Sequence, residues 1–325
     1  MTPARAAAWG PGDPSGRGSS LGAGHGLVDL PAVDQPGAPH DNVAQPGARI
    51  SRDGAAHRPG ELAGELLGVA IEAAHEAGHA LLERRGHARA VGTKSSVTDM
   101  VSDADRAAEG LIRSCVARRR PDDTVLGEEG GGATEPSRAG TVRWIVDPLD
   151  GTTNYLYGFP AWAVSVAAEH EGSVLAGVVL DPLRDELWTA TPGGGAWCND
   201  ARLVGLQDRG ELATALVATG FSYQAHQRED QGRVVAHLLP RVRDIRRAGA
   251  AALDLCWLAA GRVDAYYEQG THVWDWAAGA LIAREAGAWV GGFDGGPPSI
   301  DGLLAARPTL AGELRTLLRQ AGASG

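Results

Sequence analysis

The apolar residues of this chain change their spacing at Pro121, and that change limits the fold more than any single residue does. Before it, Leu62, Leu66, Val69, Ala70, Ala73, Ala77, Ala80 and Leu81 recur at helical intervals from Glu61 to about Arg85, where Gly86 ends the run. That is the spacing of one face of a long amphipathic helix. A second helix is predicted from about Asp103 to Arg118, with Leu111, Ile112 and Cys115 turned inward. After Pro121 short apolar runs bounded by turn residues take over, at 124–126, 142–146, 163–168, 174–180, 186–189 and 215–218, which is the signature of sheet. Farther on, helices over 226–239, 250–260, 274–286 and 310–320 alternate with strands over 242–245, 263–267, at Trp289 and over 303–306. A strand-rich half, about 59–210, followed by an alternating half, about 211–325, makes a mixed α/β chain. There is no internal repeat.

Residues 1–58 read differently. Eight of the 18 prolines lie in the first sixty residues, among many Gly and Ala and almost no periodic apolar residues. Such a Gly/Pro/Ala-rich extension cannot repay the entropy of ordering and is expected to be disordered. The remaining 59–325 is the expected folded domain, and 43% apolar residues over 325 positions suffice for a substantial core.

Charge and cysteine content exclude several functions. Forty acidic against 30 basic side chains give a net charge of −10, which argues against nucleic-acid phosphates or an anionic membrane as the partner. Cys115, Cys198 and Cys256 are widely spaced and odd in number, so neither a disulfide framework nor a CxxC knuckle is available and a reducing, cytoplasmic compartment is expected. No apolar run is long enough to cross a bilayer, and the basic-then-apolar order of a signal peptide is missing. Of the 30 bases, 29 are arginine; Lys94 is the exception.

The densest chemical signal is Trp144-Ile145-Val146-Asp147-Pro148-Leu149-Asp150-Gly151-Thr152-Thr153-Asn154. An apolar strand delivers Asp147, Pro148 fixes a turn, and Asp150 follows where Gly151 to Thr153 could open a helix. Two carboxylates on one corner repel, and a divalent cation with oxygen ligands relieves them. The N–H groups of Gly151 and Thr152 would suit an anion. Cations beside an anion hole point to a phosphate site. The plain alternative is an N-cap at Asp150 and a strand-end turn at Asp147. Gly127-Glu128-Glu129-Gly130 ends another strand, its glycines leaving room for a ligand, although paired loop glutamates are usually solvated. Asp275, between Trp274 and Trp276 at a helix head, needs a partner if buried.

Two other patterns carry less. His75-Glu76-Ala77-Gly78-His79 spells the HExxH of zinc peptidases, but no third histidine follows at the metzincin spacing and the setting is an Ala-rich helix. Gly127 to Gly132 contains no GxGxxG leading into a helix, and Arg118-Arg119-Arg120 reads as a solvated helix end.

Taken together, Gly127-Glu128-Glu129, Asp147-Pro148-Leu149-Asp150-Gly151-Thr152-Thr153 and Trp274-Asp275 with Ala277-Ala278-Gly279 resemble the inositol monophosphatase family of metal-dependent, lithium-sensitive phosphatases. Lys94-Ser95-Ser96 leading to Ser102-Asp103, and Arg246-Arg247 leading to Gly249-Ala250-Ala251, fit as well, and the stretch from Arg246 to Asp275 is most similar to the bacterial inositol-1-monophosphatase branch. The resemblance implies a layered αβαβα sandwich, a homodimer and a small phosphate monoester as substrate. It implies that Glu128, Asp147 and the Leu149 carbonyl hold one Mg²⁺ and that Asp147, Asp150 and Asp275 hold a second; a third, weaker ion near Glu128 is a family feature on which the sequence is silent. It further implies in-line attack of water on phosphorus, with Thr152 paired to Asp103, together with Glu128, orienting the water. The phosphate would lie on Gly151 and Thr152. Gly249, Ala250, Ala251, Glu268 and Asp275, with Arg246, would face the alcohol, and Asp150 would border the substrate. Lys94 and Thr153 are supporting positions; a compact ammonium at Lys94 would order the loop leading to Asp103. Two departures bear on substrate preference: Ala250 stands where the family commonly has Ser or Thr, and Val97 where it frequently has Pro. The expected reaction is hydrolysis of myo-inositol 1-phosphate, with histidinol-phosphate phosphatase as the alternative.

Overall fold

The computed structural model describes residues 59–86, 90–93, 100–132, 140–206 and 210–323. The extension 1–58 and the segment from Lys94 to Val97 lie outside the described residues. The described part opens with α1, Pro59–Arg84, then an antiparallel pair of short strands, β1 (Ala90–Thr93) and β2 (Met100–Ser102), then α2, Asp103–Arg119. In α1 the periodic residues Leu66, Val69, Ala70, Ala73, Ala77 and Leu81 are all buried. Helix α2 begins at a capping box: Ser102 Oγ accepts from the N–H groups of Ala104 and Asp105, while the Asp105 carboxylate accepts from Ser102 N at 2.9 Å. A cap of this kind contributes about 1 kcal/mol.

A seven-stranded sheet follows, with strands in sequence order: β3 (Thr124–Gly127), β4 (Arg143–Asp150), β5 (Ala163–His170), β6 (Ser173–Asp181), β7 (Glu186–Thr191), β8 (Gly195–Cys198) and β9 (Ala201–Arg202). The short helix α3, Thr152–Tyr157, sits between β4 and β5. Only β3 and β4 run parallel in it; the other neighbours are antiparallel. Every residue of β4 is buried, which is why Trp144, Ile145 and Val146 follow one another with no polar residue between them. Strands β8 and β9 fall outside the sequence expectation because they are only four and two residues long; β9 is at the sheet edge, with Ala201 and Arg202 exposed.

The second half contributes, in order, β10 (Leu216–Thr219), α4 (Ala225–Leu238), β11 (Asp244–Arg246), α5 (Ala251–Ala259), β12 (Ala265–Glu268), α6 (Val273–Glu285), β13 (Trp289–Gly291), β14 (Leu303–Ala306) and α7 (Pro308–Gln320). Its five strands lie in the order β11-β10-β12-β14-β13. Four apolar clusters join the layers. One packs α1 and α2 on β4 to β6, and a second packs the opposite face of that sheet on α5 and α6. A third joins α5 and α6 to the second sheet, whose outer face carries α4 and α7. The result is five layers, α/β/α/β/α. The middle layer needs small residues: a Cβ on Gly177 would stand 2.9 Å from the Ala278 carbonyl, and one on Gly279 would stand 2.8 Å from Leu255. Close packing of α6 against β6 fixes where Asp275 emerges.

Candidate active site

Strand β4 carries the corner on which the site is built. Pro148 has no N–H to give to a neighbour, and the register with β5 breaks between Asp147 and Asp150. Asp147 is buried and turns back to accept from Leu149 N at 3.0 Å. Asp150 does not cap the short helix that follows it. Its carboxylate crosses to the start of α5, accepting from Ala251 N at 3.2 Å and Ala252 N at 2.7 Å. The reason is visible at the N-cap of α5, which is Ala250 and has no side chain to satisfy those donors. Gly151 occupies the left-handed region at φ 92°, and a Cβ there would lie 2.9 Å from the Ala161 carbonyl and 3.2 Å from that of Gly249. Only glycine allows the corner to approach the Gly249 loop so closely. Asn154 ties the same two segments together, its Nδ2 donating to Ala161 O at 2.6 Å and Ala248 O at 2.9 Å.

Glu128 is presented by a loop held from beneath. Buried Glu109 of α2 accepts from Glu129 N at 2.8 Å and Gly130 N at 2.9 Å, and is itself paired with Arg113 at 2.7 Å. A Cβ on Gly127 would come within 2.6 Å of the Glu109 carboxylate. The glycines around Glu128 therefore make room for Glu109, and not for a ligand as the sequence reading had them.

The partner of Thr152 also needs correction. Thr152 Oγ1 donates to Asp105 Oδ1 at 2.7 Å, and the same oxygen lies 3.2 Å from the Leu149 carbonyl. Asp103 is exposed in the first turn of α2, because Ser102 is the N-cap and the third helical position, Asp105, is the one that turns inward. The Ser102-x-x-Asp105 spacing of a capping box was the available signal.

These elements surround a cavity of about 840 Å³ whose lining includes Glu128, Asp147, Leu149, Asp150, Gly151, Thr152, Gly249, Ala251, Glu268 and Asp275. Four described residues of the expected site are not part of that lining, exposed Asp103 among them. Arg246 points out and pairs with Asp244 at 2.7 Å; its neighbour Arg247 lines the cavity instead. Ala250 is buried as the start of α5. Thr153 is half-buried, with an Oγ1 that has no hydrogen-bond partner. Lys94 lies outside the described residues. His272, unremarked in the sequence, lines the cavity with its ring stacked on Trp274 at 4.7 Å. Asp275 reaches back to accept from His272 N at 2.6 Å, a cap on its own helix.

Crowded carboxylates leave an electrostatic mark. Burial, and then the charges of Glu268 and Glu128, push Asp150 up to about 7, against hydrogen bonds from Ala252 and Ala251 that pull the other way. Burial and the charges of Glu128 and Asp150 raise Asp275 well above the carboxylate range. Burial pushes Glu268 up to about 7, opposed by the Tyr266 hydroxyl, which donates to it at 2.8 Å, and by Arg247. Anionic oxygens in such numbers are the donor set of a hard divalent cation.

The profile of the inositol monophosphatase family matches residues 63–323. The chain belongs to the inositol monophosphatase family. A Mycobacterium bovis relative named inositol-1-monophosphatase is 49% identical over 206 residues, 62% of this chain and 71% of its own. A Pasteurella multocida relative named Nus factor SuhB is 41% identical over 255 residues, 77% of this chain and 94% of its own. Among solved structures, the extragenic suppressor protein suhB from Bartonella henselae matches with a TM-score of 0.73 at 36% identity, covering 78% of this chain and 98% of that one.

The carboxylates that this member of the inositol monophosphatase family gathers in its cavity are distinct from two metal-like patterns elsewhere. In the HExxH stretch of α1, Glu76 is paired with Arg118 at 2.6 Å, His79 is exposed, and the two histidine rings stand 6.4 Å apart. Glu72, Glu76 and Cys115 bring donor atoms within 4.8 Å of one another. Arg118 and Arg119 already neutralise both glutamates, and burial together with those glutamates pushes the Cys115 thiol up to about 11. Among the described residues no helix is long and apolar enough to cross a membrane.

Proposed function

We propose that this chain is a Mg²⁺-dependent phosphomonoesterase that hydrolyses myo-inositol 1-phosphate to inositol and phosphate. The observation that carries the reading is the meeting, in one cavity, of Glu128, Asp147, Asp150 and Asp275 with Glu268 on the alcohol side. Carboxylates raised by burial and by one another are a donor set that a divalent cation relieves. Glu128, Asp147 and the Leu149 carbonyl would hold one ion, and Asp147, Asp150 and Asp275 a second. When bound, the ions would make hydroxide available near neutral pH and offset the charge on the phosphate and the leaving oxygen.

The chain's own groups do the positioning. Thr152 commits its hydroxyl proton to Asp105, so the remaining lone pairs of Oγ1 accept from an attacking water and aim it; Glu128 is the second acceptor. The N–H groups of Gly151 and Thr152, on the cavity wall, would hold phosphate oxygens as negative charge shifts. Glu268 accepts from hydroxyls of the alcohol. A cytoplasmic location and a homodimer belong to the same reading. Free Cys115, Cys198 and Cys256 support the first, and Tyr157 at the end of α3 and Phe159 just past it, 80% and 53% exposed, offer apolar surface for the second.

The deciding experiment compares kcat/KM for inositol 1-phosphate, histidinol phosphate and fructose 1,6-bisphosphate with Mg²⁺, with and without Li⁺. Inositol 1-phosphate is expected to lead by about tenfold or more and to be inhibited by Li⁺; a clear lead for histidinol phosphate would overturn the substrate.

Metal binding should also depend on pH. Asp150 and Glu268 are raised to about 7 in the metal-free fold, above their values in the unfolded chain. Between about pH 4 and 7 the folded state therefore binds more protons than the unfolded one, and metal-free stability falls as pH rises through that window. Magnesium competes with the proton on Asp150. At about 100 times its Kd it should raise Tm by roughly 5–10 °C at pH 8 and by far less at pH 5. Equal shifts at both values would show that Asp150 is not a ligand.

A further inference from the structure

We infer that Arg247 sets the charge preference of the alcohol subsite, admitting phosphates of neutral polyols and rejecting phosphates of alcohols that carry an ammonium group. This rests on the phosphatase reading and adds to it a residue and a substrate class.

Arg247 lies in the loop between β11 and α5 and lines the cavity. Its guanidinium carbon is 6.0 Å from the centroid of the Phe221 ring, a distance at which the ring face attracts a cation. Among the described residues it has no ion-pair partner, whereas Arg246 is held by Asp244 and Arg233, also on the cavity wall, is held by Glu229 and Asp230. Gly249 takes φ 85°, in the left-handed region that favours glycine, and the Arg247 guanidinium packs over it. Asn154 pins the loop through the Ala248 carbonyl.

Glu268 shares the cavity wall with this cation, while Asp254 of α5 is buried outside that lining, with neither oxygen hydrogen-bonded among the described residues. The positive charge of Arg247 pulls both carboxyls downward against their burial, so it acts at their positions. A polyol suits this arrangement, because one hydroxyl can donate to Glu268 and accept from Arg247. An ammonium can donate to Glu268 but meets a like charge that no ion pair among the described residues holds. Without Arg247 the subsite keeps the Glu268 carboxylate and loses this cation, which favours an ammonium.

The test uses the purified full chain with Mg²⁺ and compares kcat/KM for inositol 1-phosphate and histidinol phosphate in the wild type, Arg247→Gln and Arg247→Lys. The wild-type preference for the polyol should fall by about 30-fold or more in Arg247→Gln, mainly through a lower KM for histidinol phosphate. Arg247→Lys should keep the preference to within about threefold, since the charge is retained. Arg246→Gln, outside the cavity, should leave it unmoved. A parallel loss for both substrates in Arg247→Gln, or a ratio that does not move, overturns the inference while the phosphatase reading stands. Wild type that hydrolyses neither ester overturns both. Thermal midpoints of the variants report whether a loss of activity is a loss of fold.

Discussion

Asp147→Asn is expected to lower phosphatase turnover by at least about 10³-fold while leaving the fold in place. Asp147 is the carboxylate that both proposed ions would share, so its loss weakens the two together. Asparagine has nearly the same shape, and its side-chain oxygen can still accept from Leu149 N, at 3.0 Å from Asp147 Oδ1. Removing one negative charge from a buried cluster that already raises its neighbours should, if anything, raise the metal-free Tm slightly. Loss of turnover with an unchanged or higher midpoint, together with a lost Mg²⁺-induced shift, is the expected pattern. Turnover within about tenfold of wild type would remove Asp147 from the mechanism.

The second large effect separates two aspartates that lie two residues apart. Asp105→Asn should lower kcat by about 10²–10³-fold and cost about 1–3 kcal/mol of stability. Its carboxylate is fully buried and takes the N–H and the hydroxyl of Ser102 on one oxygen and the hydroxyl of Thr152 on the other. An amide can accept on only one side; the other would set N–H against a donor. Thr152 would then turn away from the water that it is proposed to aim. Asp103→Asn removes an exposed charge from the first turn of α2 and should change stability by no more than about 0.5 kcal/mol. Steady-state kinetics and melting of both variants give the answer. If Asp103→Asn loses activity and Asp105→Asn does not, the water-orienting role assigned to Thr152 and Asp105 is wrong.

That pair also shows how far a sequence carries a site. The strand that carries Asp147 and the helix behind Asp275 are legible because Trp144 to Val146 and Ala277 to Ala283 are buried apolar runs, although β4 runs on through Asp150 where the sequence reading ended it at Asp147. Asp105 was missed because residue type does not say which of two acids in a helix's first turn faces inward; that depends on Ser102 being the cap. The plain alternative for Asp150, a local cap, fails because sequence shows neighbours along the chain, while its hydrogen-bond partners are the N–H groups of Ala251 and Ala252, about a hundred residues on. Glu109 gave no signal, since a buried acid at mid-helix looks like any solvated one until the Glu129 and Gly130 amides are brought against it. Strands β8 and β9 escaped because four and two residues are too short a pattern to read.

The central claim is that the cavity's carboxylates hold the ions on which phosphate release depends. It is tested most directly by following phosphate release from inositol 1-phosphate as Mg²⁺ is added back to chelator-stripped protein, beside the same titration of Asp147→Asn. Release should be absent in the stripped protein, return saturably with Mg²⁺ in the wild type, and stay absent in Asp147→Asn across the same range. Release that survives chelation, or that Mg²⁺ restores equally in both proteins, would contradict it.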